Sequence, residues 1–181
     1  LRPGATSKNV AIIVDIDSEL PPIAIDPGLM HQALLNLLTN AVEAVEPVKG
    51  VITVRAYYMM SPPGSPPTPA AISQRTAQPH HSPGSQPTGA LWAIIDVIDN
   101  GPGIAKGKQQ WIFLPFNTTK GLRGTGLGLA VAKRVSEDHG GLLTVESDEG
   151  KGSIFRMIVP ADPVALIDPS ATTGEKDQPG K

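Results

Sequence analysis

Three short segments, in a fixed order along 181 residues, limit what this chain can fold into: Asn36-Leu37-Leu38-Thr39-Asn40-Ala41, Asp99-Asn100-Gly101-Pro102-Gly103 and Gly124-Thr125-Gly126-Leu127-Gly128-Leu129. The first sets two amides one helical turn apart. The second ends an apolar, β-branched run on a carboxylate and then turns through glycines. The third is a glycine run opening a helix. Each alone is weak, since Asx-Gly pairs also make plain turns and glycine runs also make plain loops. As a set they describe a nucleotide pocket. Amide oxygens suit a Mg²⁺ ion shared with phosphates, a carboxylate can accept from an exocyclic amine, and N–H groups at a helix start face phosphate oxygens.

The pattern around these segments alternates strands and helices. Val10 to Ile16 reads as a strand. Asp26 is an N-cap with Pro27 at the first helical position, and Leu29, Met30, Ala33, Leu34, Leu37, Leu38, Ala41 and Val45 recur at helical spacing until Pro47 to Gly50. Val51 to Tyr58 and Leu91 to Asp99 read as strands. A turn-rich stretch with a short helix around Gln109 to Phe113 leads to a second helix over Leu127 to His139, ended by Gly140-Gly141. Leu142 to Glu146 and Ser153 to Val159 form a closing hairpin. Between the middle strands, residues 59–90 are rich in Pro, Ser, Gly and Gln and nearly uncharged, which predicts a flexible insertion. Residues 161–181 read as a disordered tail or linker after a domain over 1–160.

Composition removes other classes. Net charge is −2, too small for an electrostatic nucleic-acid footprint or a polybasic membrane contact. There is no cysteine, hence no disulfide or thiolate metal site in this chain. No apolar run approaches the roughly 20 residues that span a bilayer.

The first helix carries the chemistry. Asn36, Asn40 and Glu43 are spaced i, i+4, i+7 and share a face beside the apolar stripe. Asp99 shares its strand face with Ile95 and Val97. Lys120 and Arg123 stand just ahead of the glycine run, placed to meet the outer phosphates or simply as surface charges. His31, His80, His81 and His139 read as structural or solvated. The adjacent His80-His81 lacks further ligands, and the Pro-rich run reads as a linker before it reads as a polyproline ligand.

Read together, the chain resembles the catalytic ATP-binding domain of bacterial sensor histidine kinases, of the nitrogen-regulator type, in the superfamily with gyrase, the heat-shock chaperone and mismatch-repair ATPases. Asn36 to Ala41 resembles the N box and Asp99 to Ile104 the first glycine box. Ile112 to Lys120 is similar to the F box, Gly124 to Leu129 to the second glycine box, and Gly141 to Pro160 to the last hairpin. The resemblance covers about residues 1 to 160. It implies an α/β two-layer sandwich, a mixed and largely antiparallel sheet with helices on one face.

The resemblance also implies roles. Asp99 binds the adenine amine, with Ser153 supporting it through water and Gly101, Gly103 and Ile104 shaping the pocket. Asn40 holds Mg²⁺, Asn36 meets the phosphates or metal-bound waters, and Glu43 reaches metal-bound water. Lys120, Arg123 and the amides of Gly124, Thr125, Gly126, Leu127 and Gly128 hold the triphosphate of ATP, while Phe113 and Phe116 govern the lid. Related ATPases carry a glutamate base where this chain has Asn36, and an amide cannot take a proton from water, so efficient hydrolysis is not expected. The implied partners are a histidine-bearing dimerisation domain absent from this chain and a downstream response regulator. The implied setting is cytoplasmic, with the isolated domain monomeric and the parent protein soluble or membrane-bound. The alternative is an ATP-gated interaction module or slow ATPase that phosphorylates no histidine.

Overall fold

The computed structural model describes residues 9–20, 23–61, 65–68, 70–72, 89–117 and 125–161. Chain order is β1 (Ala11–Ile16), α1 (Pro27–Ala44), β2 (Val51–Ser61), β3 (Ala90–Asp99), two single 3₁₀ turns (Lys106–Lys108 and Trp111–Phe113), α2 (Gly128–Asp138), β4 (Leu142–Asp148) and β5 (Gly152–Pro160). The strands form one sheet in the order β1-β2-β3-β5-β4. β1 runs parallel to β2, as the intervening helix requires, and every other neighbour is antiparallel.

Local chemistry places the helices. Asp26 Oδ1 accepts from the N–H groups of Gly28 and Leu29 at 2.8 and 2.9 Å, and Pro27 follows where its missing N–H costs nothing. Met30, Ala33, Leu37 and Ala41 form the buried stripe of α1. With Ala132 and Val135 of α2 they pack onto Ile52, Ala93, Val97, Leu143, Phe155, Met157 and Val159, so both helices lie on one face of the sheet. His139 ties the two helix ends together: its Nε2 accepts from the Asp26 N–H at 3.0 Å while Nδ1 lies 2.7 Å from the Val135 carbonyl, which assigns the ring proton to Nδ1. This is the structural use expected of that histidine.

On the opposite face, charges stand in register across four strands. Asp15 pairs with Arg55, Arg55 with Asp96 and Asp96 with Arg156. Asp96 and Arg156 are almost fully buried and make a bidentate ion pair at 2.7 and 3.1 Å, and Arg156 Nη1 also donates to Glu146 Oε1 at 2.7 Å. Burial works against the Arg156 charge, but the Asp96 hydrogen bonds and charge outweigh it and hold the guanidinium above its usual range. Burial, with the Asp96 charge, pushes the Tyr57 phenol up.

Several boundaries differ from the sequence reading. β2 runs on through Met59, Met60 and Ser61, and Ala90 already belongs to β3, because these residues complete the ladder up to the Ser61–Ala90 pair. Ile72, inside the stretch expected to be flexible, is fully buried. Ala161, assigned to the tail, is buried too and donates its N–H to the Leu91 carbonyl at 2.8 Å. The short helix expected around Gln109 is two 3₁₀ turns. His80, His81, most of the Pro-rich run and residues 162–181 lie outside the described residues.

Candidate nucleotide site

Asp99 ends β3 at the point where the sheet meets α1. Its carboxylate is 4% exposed. Oδ1 accepts from the Gly101 N–H at 2.8 Å, whereas Oδ2 is buried and has no hydrogen-bond partner among the described residues. Burial raises the Asp99 pKa above the ordinary carboxylate range, and the Gly101 amide with the amide and hydroxyl of Ser153 works against that rise. An anionic oxygen buried without a donor is costly unless a ligand supplies one.

The glycines here are fixed by close approach. Gly103 has φ +72° and a Cβ there would lie 2.0 Å from the Asp148 carbonyl oxygen; at Gly152, φ +92°, it would lie 2.0 Å from the Asp99 carbonyl oxygen. A side chain at Gly101 would meet Asp99 Oδ1 at 2.8 Å and Ala44 Cβ at 3.3 Å, so this loop sits against the C-terminal end of α1. Gly128, the first residue of α2, faces Asn36: a Cβ there would be 3.6 Å from the Asn36 amide oxygen. Asn36 and Ala44 are eight residues apart, about 12 Å along the helix. Asn40, half-buried, falls midway between the two contacts. The segments singled out in the sequence thus meet along one stretch of α1, with the carboxylate at one end and the start of α2 at the other. Glu43 is exposed on the next turn.

α2 begins without a side-chain cap: Leu127 is its N-cap residue and makes no side-chain hydrogen bond to the first turn. Uncapped N–H groups and the positive end of the helix dipole suit an anion. Thr125 is exposed, and its hydroxyl accepts from the Leu127 N–H at 3.4 Å. Gly126 has φ +65°, its carbonyl accepts from the Phe116 N–H at 3.0 Å, and a Cβ would strike the Phe116 backbone at 2.5 Å. The second glycine segment and the phenylalanine segment are therefore held together. Phe113 is edge-on to Phe155 at 6.4 Å and lies under Lys133 Nζ at 5.7 Å, which anchors it to the core. Phe116 is exposed and itself has φ +66°. Lys120, Arg123 and Gly124 lie outside the described residues.

Three side chains that the sequence reading did not single out shape this site. Ser147 Oγ accepts from the Ile104 N–H at 2.8 Å, donates to the Gly152 carbonyl at 2.7 Å and lies 3.1 Å from Ser153 Oγ. Gln109 Nε2 donates to the carbonyls of Ile104 and Ser147 at 3.2 and 2.7 Å. Asn100 pins the end of β3 to the start of β2, accepting from the Val51 N–H at 2.8 Å and donating to the Lys49 carbonyl at 3.0 Å. The position of Asn100 directly after Asp99 was a usable signal; Ser147 and Gln109 gave none, because the contacts by which they join the Ile104 loop to β4 span 43 and 38 residues. A cleft of about 480 Å³ opens beside Asp99 and Ser153, walled by Lys106, Gln109, Glu146 and Lys151.

Known proteins of one family match this chain in sequence and in fold. Residues 25–163 match the profile of the histidine kinase-, DNA gyrase B- and HSP90-like ATPases. The chain is 35% identical over 156 residues to the sensor histidine kinase ZraS of Salmonella typhi, covering 86% of this chain and 27% of that protein. It is also 35% identical over 154 residues to the signal transduction histidine-protein kinase AtoS of Escherichia coli K12, covering 85% and 20%. It thus spans about a quarter of the curated relatives it matches. Among solved structures, the catalytic domain of histidine kinase ThkA superposes with a TM-score of 0.59 at 26% identity, over 85% of this chain and 82% of that one. Full-length ShkA in complex with AMPPNP superposes at 0.60 and 28% identity, over 87% of this chain and 27% of that one. With the family profile matching residues 25–163, most of its length, the chain belongs to the histidine kinase-, DNA gyrase B- and HSP90-like ATPase family.

Proposed function

We propose that this domain binds ATP with Mg²⁺ and donates the γ-phosphate to a histidine on a dimerisation domain of its parent protein, which then supplies a response regulator. The observation that carries the reading is the buried Asp99 Oδ2 without a donor, beside an Oδ1 already satisfied by Gly101. The exocyclic amine of adenine supplies that donor. Guanine offers a carbonyl at the same place, so ATP is preferred over GTP by at least about 100-fold.

With adenine at Asp99, the phosphates would lie toward Gly128, and the amides of Gly124 to Gly128 with Lys120 and Arg123 would be the groups to hold them. Asn36 lies against Gly128 and orients that end. Asn40, between the two ends, would hold Mg²⁺ through its amide oxygen, and Glu43 one turn on would support that site. Among the described residues no three His, Asp or Glu cluster as ligands, so the ion draws on phosphates and water for most of its shell. When bound, Mg²⁺ neutralises charge on the phosphates. Asn36 holds a position where it cannot accept a proton, so the chain contributes positioning and charge stabilisation, and the attacking nitrogen comes from the partner domain.

The test is transfer of label from γ-labelled ATP to the parent's histidine-bearing domain, supplied separately. Acid-labile labelling of that domain, lost in Asn40→Ala, is the expected result. Lid ordering on ATP without transfer would replace the kinase reading with an ATP-gated interaction module.

A further inference from the structure

The face of the sheet turned away from α1 and α2 is apolar at the Trp92 end of β3. Met59, Trp92, Ile94 and Ile158 are buried there, and Ile72 is inserted among them with none of its surface exposed. Tyr57, Ala90 and Leu142 pack around the rim. Ile72 comes from the segment between β2 and β3, and a helical turn delivers it. Its N–H donates to the Thr68 carbonyl at 3.0 Å, and the Ala71 N–H donates to Thr68 Oγ1 at 3.2 Å. Where the chain leaves β2, Ser61 Oγ donates to the Ser65 carbonyl. The nucleotide site uses none of these groups. Trp92 stands seven residues from Asp99 along β3, about 23 Å away.

An antiparallel sheet with one solvated face carries polar residues on it. Here the outer row of β2, β3 and β5 instead reads Met59, Trp92, Ile94, Ile158, and the residue that covers it belongs to this same chain. We propose that residues 65–68 and 70–72, between β2 and β3, act as a clasp, fastened to the outer face through Ile72, and that Ile72 covers a surface through which uncovered domains would adhere to one another. The strand pairing supports this. Ser61 and Ala90 are register partners, so a two-residue turn would close the hairpin, and the much longer connection is not needed to join the strands. The apolar row and the residue that covers it answer one another: a bare patch holding a tryptophan, a methionine and two isoleucines is a self-association surface.

Two variants test the clasp. In the first, Asn-Gly replaces residues 62–89 in a Trp111→Phe background, so that emission reports Trp92 alone. The shortened protein is expected to bind a non-hydrolysable ATP analogue with Mg²⁺ within about twofold of the parent, since the two regions are far apart. It is also expected to self-associate in sedimentation velocity, with Trp92 emission shifted to the red. The second variant, Ile72→Asp in the otherwise intact chain, shows the same red shift and melts on the order of 10 °C lower. A shortened protein that stays monomeric overturns the proposal. So does an Ile72→Asp protein whose emission and melting temperature do not move.

Discussion

Replacing Arg156 by Met isolates the energetics of the outer face. Arg156 is 3% exposed and Asp96 is 1% exposed, with two direct nitrogen–oxygen contacts between them and a third from Arg156 to Glu146. Without the guanidinium, Asp96 keeps, among the described residues, only the Tyr57 hydroxyl as a side-chain donor, at 3.3 Å. A buried carboxylate left in that state costs about 3–5 kcal/mol, a large part of a typical 5–15 kcal/mol stability. At about 2–4 °C per kcal/mol for a chain of this size, the melting temperature falls by roughly 6–20 °C. Removing both charges in Asp96→Leu/Arg156→Met should recover most of the loss. What remains is the unpaired Tyr57 hydroxyl, about 1–3 kcal/mol. Urea denaturation of the wild type, both single variants and the double variant gives the coupling energy directly. Strict additivity of the single variants, or a loss below about 1 kcal/mol in Arg156→Met, would refute the argument that this pair is coupled by its burial.

Other outcomes follow from the same geometry. Gly126→Ala demands a positive φ and drives a Cβ to 2.5 Å from the Phe116 backbone, so thermal melting should show a loss of at least about 1–2 kcal/mol. Gly128→Ala meets Asn36 only at 3.6 Å and starts a helix, so the same assay should show no loss. His139→Ala removes the acceptor for the Asp26 N–H and one helix-end hydrogen bond, and should cost about 1–3 kcal/mol in chemical denaturation. Because the folded Asp99 pKa is raised, its contribution to stability is full in acid and is lost as pH rises through that folded value. Ligand-free Asp99→Asn should therefore be the more stable protein near neutral pH, with the advantage vanishing in acid; denaturation across that range checks the sign.

The helices were legible because their signals are local. Asp26-Pro27 announced the start of α1, and the Leu37, Ala41 periodicity gave its buried face. Asp99 was legible as a strand-end carboxylate on the Ile95, Val97 face, but its orphaned Oδ2 depends on Gly101, Ser153 and the loop against Ala44, which only the fold assembles. The Asp96–Arg156 pair was not legible, since sixty residues separate two side chains that each look like ordinary outward-facing polar positions. Ile72 was missed for a related reason. Three apolar residues, Ala70-Ala71-Ile72, are too few to show a period, and only the apolar outer face of β3 and β5 gives them something to cover. The exposure of all of β1 was equally hidden, because a β-branched run reads as buried whether or not anything packs on it.

The central claim is that Asp99 reads adenine at one end of α1 while the glycine helix holds phosphate at the other. Calorimetric titration of a non-hydrolysable ATP analogue with Mg²⁺ into the wild type and Asp99→Asn tests it most directly. Asparagine turns an amide donor toward an amine donor, so the account predicts one saturable site in the wild type and affinity weaker by at least about 10-fold to 100-fold in the variant. Equal affinities in the two proteins, or no binding by a folded wild type, would contradict it.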